Sequence, residues 1–164
     1  MPAKVVVRKS RIQGTGVFAT ARFLNGRKVF KFSDREITIN HRPGCHCATC
    51  KRCIQVGKSG WLYPKPGSAG WFLNHSCSPS CAISGKWIIA IRKIESGQEI
   101  SIDYSTTTDD EKWKMACRCK QRYCRKTIRS VQFLSPMLFG KYRGKMPKYV
   151  EKQYLLSARG KSRR

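Results

Sequence analysis

The sequence predicts a mainly β domain with short helices confined to its C-terminal part. Three observations predict it. Short runs of β-branched and aromatic residues recur through the first hundred positions, turn-forming Gly, Pro and Asn punctuate them, and helical patterning is found only beyond Thr108. In chain order, Lys4 to Arg8 (KVVVR) is a strand closed by Gly14-Thr15-Gly16, and Val17 to Thr20 (VFAT) is the next. Lys28 to Phe32 (KVFKF), Glu36 to Asn40 (EITIN), Lys86 to Ile94 (KWIIAIRKI) and Glu99 to Tyr104 (EISIDY) follow. Helix is expected around Asp109 to Met115, where acids suit an N-terminus, and from Pro147 to Ala158, where proline fits a first turn.

Charge narrows the function. The 164 residues carry 34 Lys and Arg against 9 Asp and Glu, a formal charge of +25. From Trp113 to Arg164 there are sixteen basic residues and one acid, Glu151. Such a field seeks anions, and nucleic-acid phosphates are the natural partner, although part of it serves solubility. Without a groove-reading helix motif, that contact is expected to ignore base sequence. No apolar run reaches the roughly 18–20 residues of a spanning helix, and Met1 to Ser10 lacks the apolar stretch of a secretion signal. An intracellular protein with no membrane partner is expected, nuclear or nucleoid-associated if nucleic acid is bound.

Nine cysteines, an odd number in short clusters, fit a reducing compartment and a metal better than disulfides. Cys45, Cys47, Cys50 and Cys53 form C-x-C-x2-C-x2-C, a spacing that can turn four thiolates onto one tetrahedral zinc, with His41 and His46 as competitors for a position. Four protein ligands leave no open position, so this site would be structural. Cys117, Cys119 and Cys124 form C-x-C-x4-C and supply only three ligands. Cys77 and Cys81 are both candidates for the fourth, and spacing does not choose between them.

Four motifs then fall in order: Gly14-x-Gly16, Asn74-His75-Ser76-Cys77-x-Pro79, Gly97 to Tyr104 (GQEISIDY) and the C-x-C-x4-C. This set closely resembles the SET-domain protein lysine methyltransferases with a post-SET zinc motif, over roughly residues 4 to 130. The tail from Cys124 through Tyr149 looks like the extension of short stand-alone members, typical of microbial or viral proteins. The resemblance implies a SET (β-clip) fold in which the N-H-S-C segment and the D-Y strand cross as a pseudoknot. Residues 1–105 would be the core with a cysteine-rich insert at about 41–60, residues 106–130 the post-SET zinc region, and residues 131–164 a basic C-terminal extension. It also implies transfer of a methyl group from S-adenosylmethionine to a lysine side chain of a protein.

Carried over by position, Gly14 and Gly16 would let the backbone approach the cofactor, Asn74 and His75 would hold its methionine and adenine parts, and Ile128 would pack on the adenine. Cys77 would join Cys117, Cys119 and Cys124 around zinc, giving two zinc per chain with the insert site, and Cys81 would be a small core residue. Tyr104 is the catalytic candidate: it would orient the amine and contact the methyl and cofactor. In-line displacement at a sulfonium needs alignment rather than a protein nucleophile, and a lysine of reference pKa about 10.4 must lose its proton, which a dry channel beside a cation favours. Trp61 and Tyr63 are candidates for a second channel aromatic.

Two positions depart from the family pattern. Trp71 stands where an Arg is frequent, three residues before the Asn, which leaves a charged support missing. Ile102 stands where Phe or Tyr is common, and its smaller side chain leans toward di- or trimethylation. The reading is therefore a methyltransferase acting on a basic or nucleic-acid-associated protein, chromatin included. The alternative is a non-catalytic, zinc-stabilised nucleic-acid-binding module on a SET-like scaffold. Methylation of its own lysine-rich tail is a third outcome.

Overall fold

The computed structural model describes residues 4–32, 36–37 and 52–161. Among them the chain forms four small sheets and two C-terminal helices. β1 (Val5–Lys9) and β2 (Thr15–Ala19) make an antiparallel hairpin, and β10 (Glu99–Ile102) joins the other edge of β2. β7 (Asn74–His75) then pairs with β10 in parallel, Asn74 opposite Ser101 and His75 opposite Ile102. That pairing lays the two expected crossing motifs side by side. β3 (Lys28–Lys31), β8 (Cys81–Ser84) and β9 (Trp87–Ala90) form the order β3-β9-β8. β4 (Glu36–Ile37), β5 (Ile54–Gln55) and β6 (Trp61–Leu62) form the order β4-β6-β5.

The main core lies between these layers. Val17, Cys81, Ile83, Ile88, Ile94 and Ile100 are all at 0% exposure, and each large aliphatic among them contributes on the order of 2 kcal/mol. Cys81 is thus the small core residue that was expected. Strands alternate as the pleat requires: in β9, Ile88 and Ala90 face inward while Trp87 and Ile89 are half-buried.

The helix expected at Asp109 to Met115 does not form. The Asp110 carboxylate accepts the Lys112 N–H at 3.0 Å, making a turn, and β11 (Lys114–Ala116) pairs with β12 (Thr127–Arg129). The local acids served a turn rather than a helix start. The second expected helix is α2 (Lys148–Lys161), behind Pro147. An additional helix, α1 (Pro136–Tyr142), is capped by Ser135, whose hydroxyl accepts the Leu138 N–H at 3.3 Å. α1 and α2 build a second apolar cluster around Phe139, Tyr142, Val150 and Tyr154, with the Phe139 and Tyr154 rings stacked at 3.7 Å. No helix among the described residues is long and apolar enough to cross a membrane.

Candidate active site and metal centre

Pairing of β7 with β10 places Asn74, His75, Asp103 and Tyr104 at one junction. His75 is 4% exposed, and its Nδ1 accepts the Tyr104 backbone N–H at 3.1 Å. Burial lowers its imidazole to about 4, against the nearby Asp103 carboxylate, so the ring is neutral at physiological pH. With Nδ1 accepting, the ring proton sits on Nε2, which lies 3.4 Å from Cys77 Sγ. His75 therefore ties the strand junction to the cysteines.

Tyr104 packs between the main core and the cysteine-rich cluster, its ring tilted against that of His75 at 5.4 Å. Its hydroxyl donates to the Leu73 carbonyl. Burial pushes the phenol up to about 12, with the Arg52 guanidinium pulling the other way. The group stays protonated at physiological pH: it can donate and orient, but it cannot act as a base.

Asn74 organises the glycine loop. Its Nδ2 lies 2.9 Å from Glu99 Oε1, 3.1 Å from Thr15 O and 3.2 Å from Gln13 O. Glu99 also accepts from the Ser10 hydroxyl at 2.7 and 2.9 Å. Gly16 is required by this packing, because a Cβ there would stand 2.3 Å from Glu99 Oε1. Gly14 has φ +48, a left-handed conformation that favours glycine, and open space where a Cβ would be.

Cys77, Cys117, Cys119 and Cys124 come together with all four sulfurs within 4.8 Å of one another. The Cys77–Cys117 separation of 3.7 Å matches the edge of about 3.8 Å of a tetrahedron with Zn–S bonds of about 2.3 Å. Four thiol donors in this arrangement could hold zinc, and of the two candidates for the fourth position it is Cys77 that lies with the other three. Burial raises the Cys77 and Cys117 thiols, so metal binding would release protons.

Sequence reasoning missed a second tie at this centre. The Arg125 guanidinium donates to Asp103 Oδ1 at 2.6 Å and to the Ser105 hydroxyl at 3.1 Å, while the Arg125 backbone N–H reaches Cys77 Sγ at 3.3 Å. Asp103 also accepts the Ser105 N–H at 3.0 Å and caps the short turn Tyr104–Thr106. The D-Y strand and the last cysteine are thus bound through one residue whose only sequence signal was its place after Cys124.

The remaining expected residues are distributed as follows. Ile128 is at 0% exposure, packed in the cysteine-rich cluster with half-buried Ile12, Trp113 and Met115 around it. Ile102 is 2% exposed in the main core. Tyr63 meets Trp71 edge-on at 5.7 Å, and the Arg52 guanidinium caps the Trp71 ring at 4.2 Å. Trp61 is half-buried on β6, opposite Gln55. Cys53 is buried, whereas Cys45, Cys47, Cys50, His41 and His46 lie outside the described residues.

Fold and site together define a mainly β domain in which a protonated phenol stands beside a four-sulfur cluster that could hold a metal. The SET-domain family model matches residues 14–105, and the chain belongs to that family. It is similar to the histone-lysine N-methyltransferase trithorax of Drosophila virilis, 30% identical over 143 residues that cover 76% of this chain and 4% of that protein. It is also similar to the human histone-lysine N-methyltransferase 2B, 27% identical over 138 residues covering 76% of this chain and 5% of that protein. A variant-silencing SET domain-containing protein of Plasmodium falciparum is 37% identical over 138 residues, 72% of this chain and 5% of that protein. The chain thus spans a small fraction of the length of these relatives.

Proposed function

We propose that the protein is a lysine N-methyltransferase that uses S-adenosylmethionine and acts on a basic, nucleic-acid-associated protein such as a histone. The observation that carries the reading is the Tyr104 phenol, protonated and bonded to the Leu73 carbonyl where β7 meets β10. When bound, S-adenosylmethionine supplies an electrophilic sulfonium methyl. The chain's own part is alignment and desolvation. Tyr104 Oη and the Leu73 carbonyl put two oxygens together where an uncharged amine would be oriented without a protein base. Gly14 and Gly16 let the backbone approach the donor, and the pinned Asn74 amide fixes the loop that carries them. Half-buried Trp113, Met115 and Ile12, with Ile128 beneath them, offer the apolar surface for adenine.

Zinc at Cys77, Cys117, Cys119 and Cys124 would be structural, holding residues 106–130 against the core of residues 1–105. Residues 131–164 are read as an extension, and the insert cysteines as a second zinc site near the substrate groove. The names of the relatives, histone-lysine N-methyltransferases, support a chromatin substrate and a nuclear location for this chain.

Radiolabelled methyl transfer to histones, with wild type and Tyr104→Phe, tests the reading. Wild type is expected to label lysine, with Tyr104→Phe reduced by about a hundredfold, the scale of losing alignment by roughly 1 Å. Calorimetry with S-adenosylhomocysteine and metal analysis accompany it. Absence of cofactor binding, with no label on any lysate protein, would leave only the nucleic-acid-binding module.

A further inference from the structure

A cleft of about 330 Å³ opens far from the chemistry, lined by Lys4, Arg22, Phe23, Leu24, Arg27 and Lys28. Four of these six are cations, all exposed at the surface, and buried Phe23 forms the floor. Arg22 pairs with Glu95 at 3.5 Å, and the same carboxylate takes Lys93 at 2.5 Å. The backbone beneath is rigidly held. Phe23 and Ile94 exchange both backbone hydrogen bonds at 2.9 Å, the Gly26 N–H donates to Ala90 O at 2.8 Å, and the Ala90 N–H donates to Arg27 O at 2.9 Å. The Thr20 N–H fixes the Lys4 carbonyl at 3.0 Å. The charges are therefore gathered on a preorganised turn rather than scattered on a mobile one.

We propose that this cleft seats the phosphodiester backbone of nucleic acid, which rests on the reading above of a nucleic-acid-associated substrate and names the surface that holds it. The backbone amides of Phe23, Gly26 and Arg27 are already committed to carbonyls. The guanidinium and ammonium groups of the lining are what meets an anion, and these bind phosphate oxygens without reading bases. Exposed Leu24 offers an apolar contact for sugar faces beside them. The cleft lies at the Val5–Ala19 end of the β1–β2 hairpin and the glycine loop at the Lys9–Thr15 end, about 13 Å away at roughly 3.3 Å per residue. Nucleic acid in the cleft would thus lie at the opposite end of the hairpin from the glycine loop.

Fluorescence anisotropy with a labelled mixed-sequence DNA duplex, titrated with salt, tests this. The R27E/K28E variant is compared with a charge-matched control on α2, K152E/R159E. The cleft variant is expected to lose about tenfold or more in affinity and to flatten the log K against log salt slope by about two, one per lost phosphate contact. The control should lose less than about threefold, and methyl transfer to a free lysine peptide should be unchanged in both variants. Equal losses in the two variants would overturn the cleft while leaving nucleic-acid association intact. Wild type failing to bind the duplex even at low salt would remove both. Polyglutamate displacing the duplex as well as unlabelled DNA does would overturn the phosphate assignment.

Discussion

Removing the Asp103 carboxylate should uncouple the D-Y strand from the cysteine centre. Its side chain is fully buried, and Oδ1 holds Arg125 at 2.6 Å and the Ser105 N–H at 3.0 Å. Asp103→Ala forfeits a charge-assisted bond of about 1.5–3 kcal/mol and leaves a guanidinium only 23% exposed without its partner. Losing one member of a fully buried pair costs about 3–5 kcal/mol. The partial exposure of Arg125, and an Oδ2 that is buried without a hydrogen bond, place this case nearer about 3 kcal/mol. For a chain of this size that lowers the melting temperature by about 6–12 °C. Thermal unfolding by circular dichroism measures it, with zinc present throughout. The double variant Asp103→Ala/Arg125→Met, which carries no orphaned charge, should recover at least about 1 kcal/mol relative to the sum of the single changes. Additive losses, or a shift below about 2 °C for Asp103→Ala, would refute the idea that this pair joins the two segments.

Gly16→Ala puts a Cβ against the anchored Glu99 carboxylate and should weaken S-adenosylhomocysteine binding by about tenfold or more in calorimetry, roughly 1.4 kcal/mol. Gly14→Ala meets no atom and costs only about 1 kcal/mol of left-handed strain in folding stability. Burial raises the Cys81 thiol from its ordinary value of 9.0 to about 12, so its folded-state pKa lies above its unfolded one. The stability it contributes is therefore complete below pH 9 and is lost as pH rises. Urea denaturation should show wild type losing about 1.4 kcal/mol between pH 8 and pH 10 relative to Cys81→Ala.

What the sequence made legible depended on the length over which each signal was written. β1, with three consecutive valines, could be read locally, and so could α2 behind Pro147. β7 is two residues long and too short to carry a period, so only the N-H-S-C motif marked it. The 109–115 segment carried helix-favouring acids, yet Met115 is half-buried between exposed Lys114 and Ala116, the alternation of a strand chosen by its partner β12. α1 was obscured by Gly140, and its Ser135-Pro136 start went unread. Cys77 and the Asp103–Arg125 pair were beyond local reading for a different reason. Their partners lie 40 and 22 positions away, and only the fold closes those distances.

The charged support that the resemblance marks as missing at Trp71 is supplied from another part of the chain. The Arg52 guanidinium lies 4.2 Å over the Trp71 ring and acts on the Tyr104 phenol, so a cation still stands near the site although residue 71 is neutral. That arginine is held in place with help from the aromatic face. Its positive field disfavours an incoming ammonium and favours the neutral amine that methyl transfer requires. Arg52→Gln removes that field, so the lysine amine keeps its proton to higher pH. The acid limb of the pH–rate profile for methyl transfer should then move toward alkaline pH, while cofactor affinity stays constant. An unchanged limb would mean that Arg52 only packs on Trp71, and that proton loss is governed by the donor's own charge.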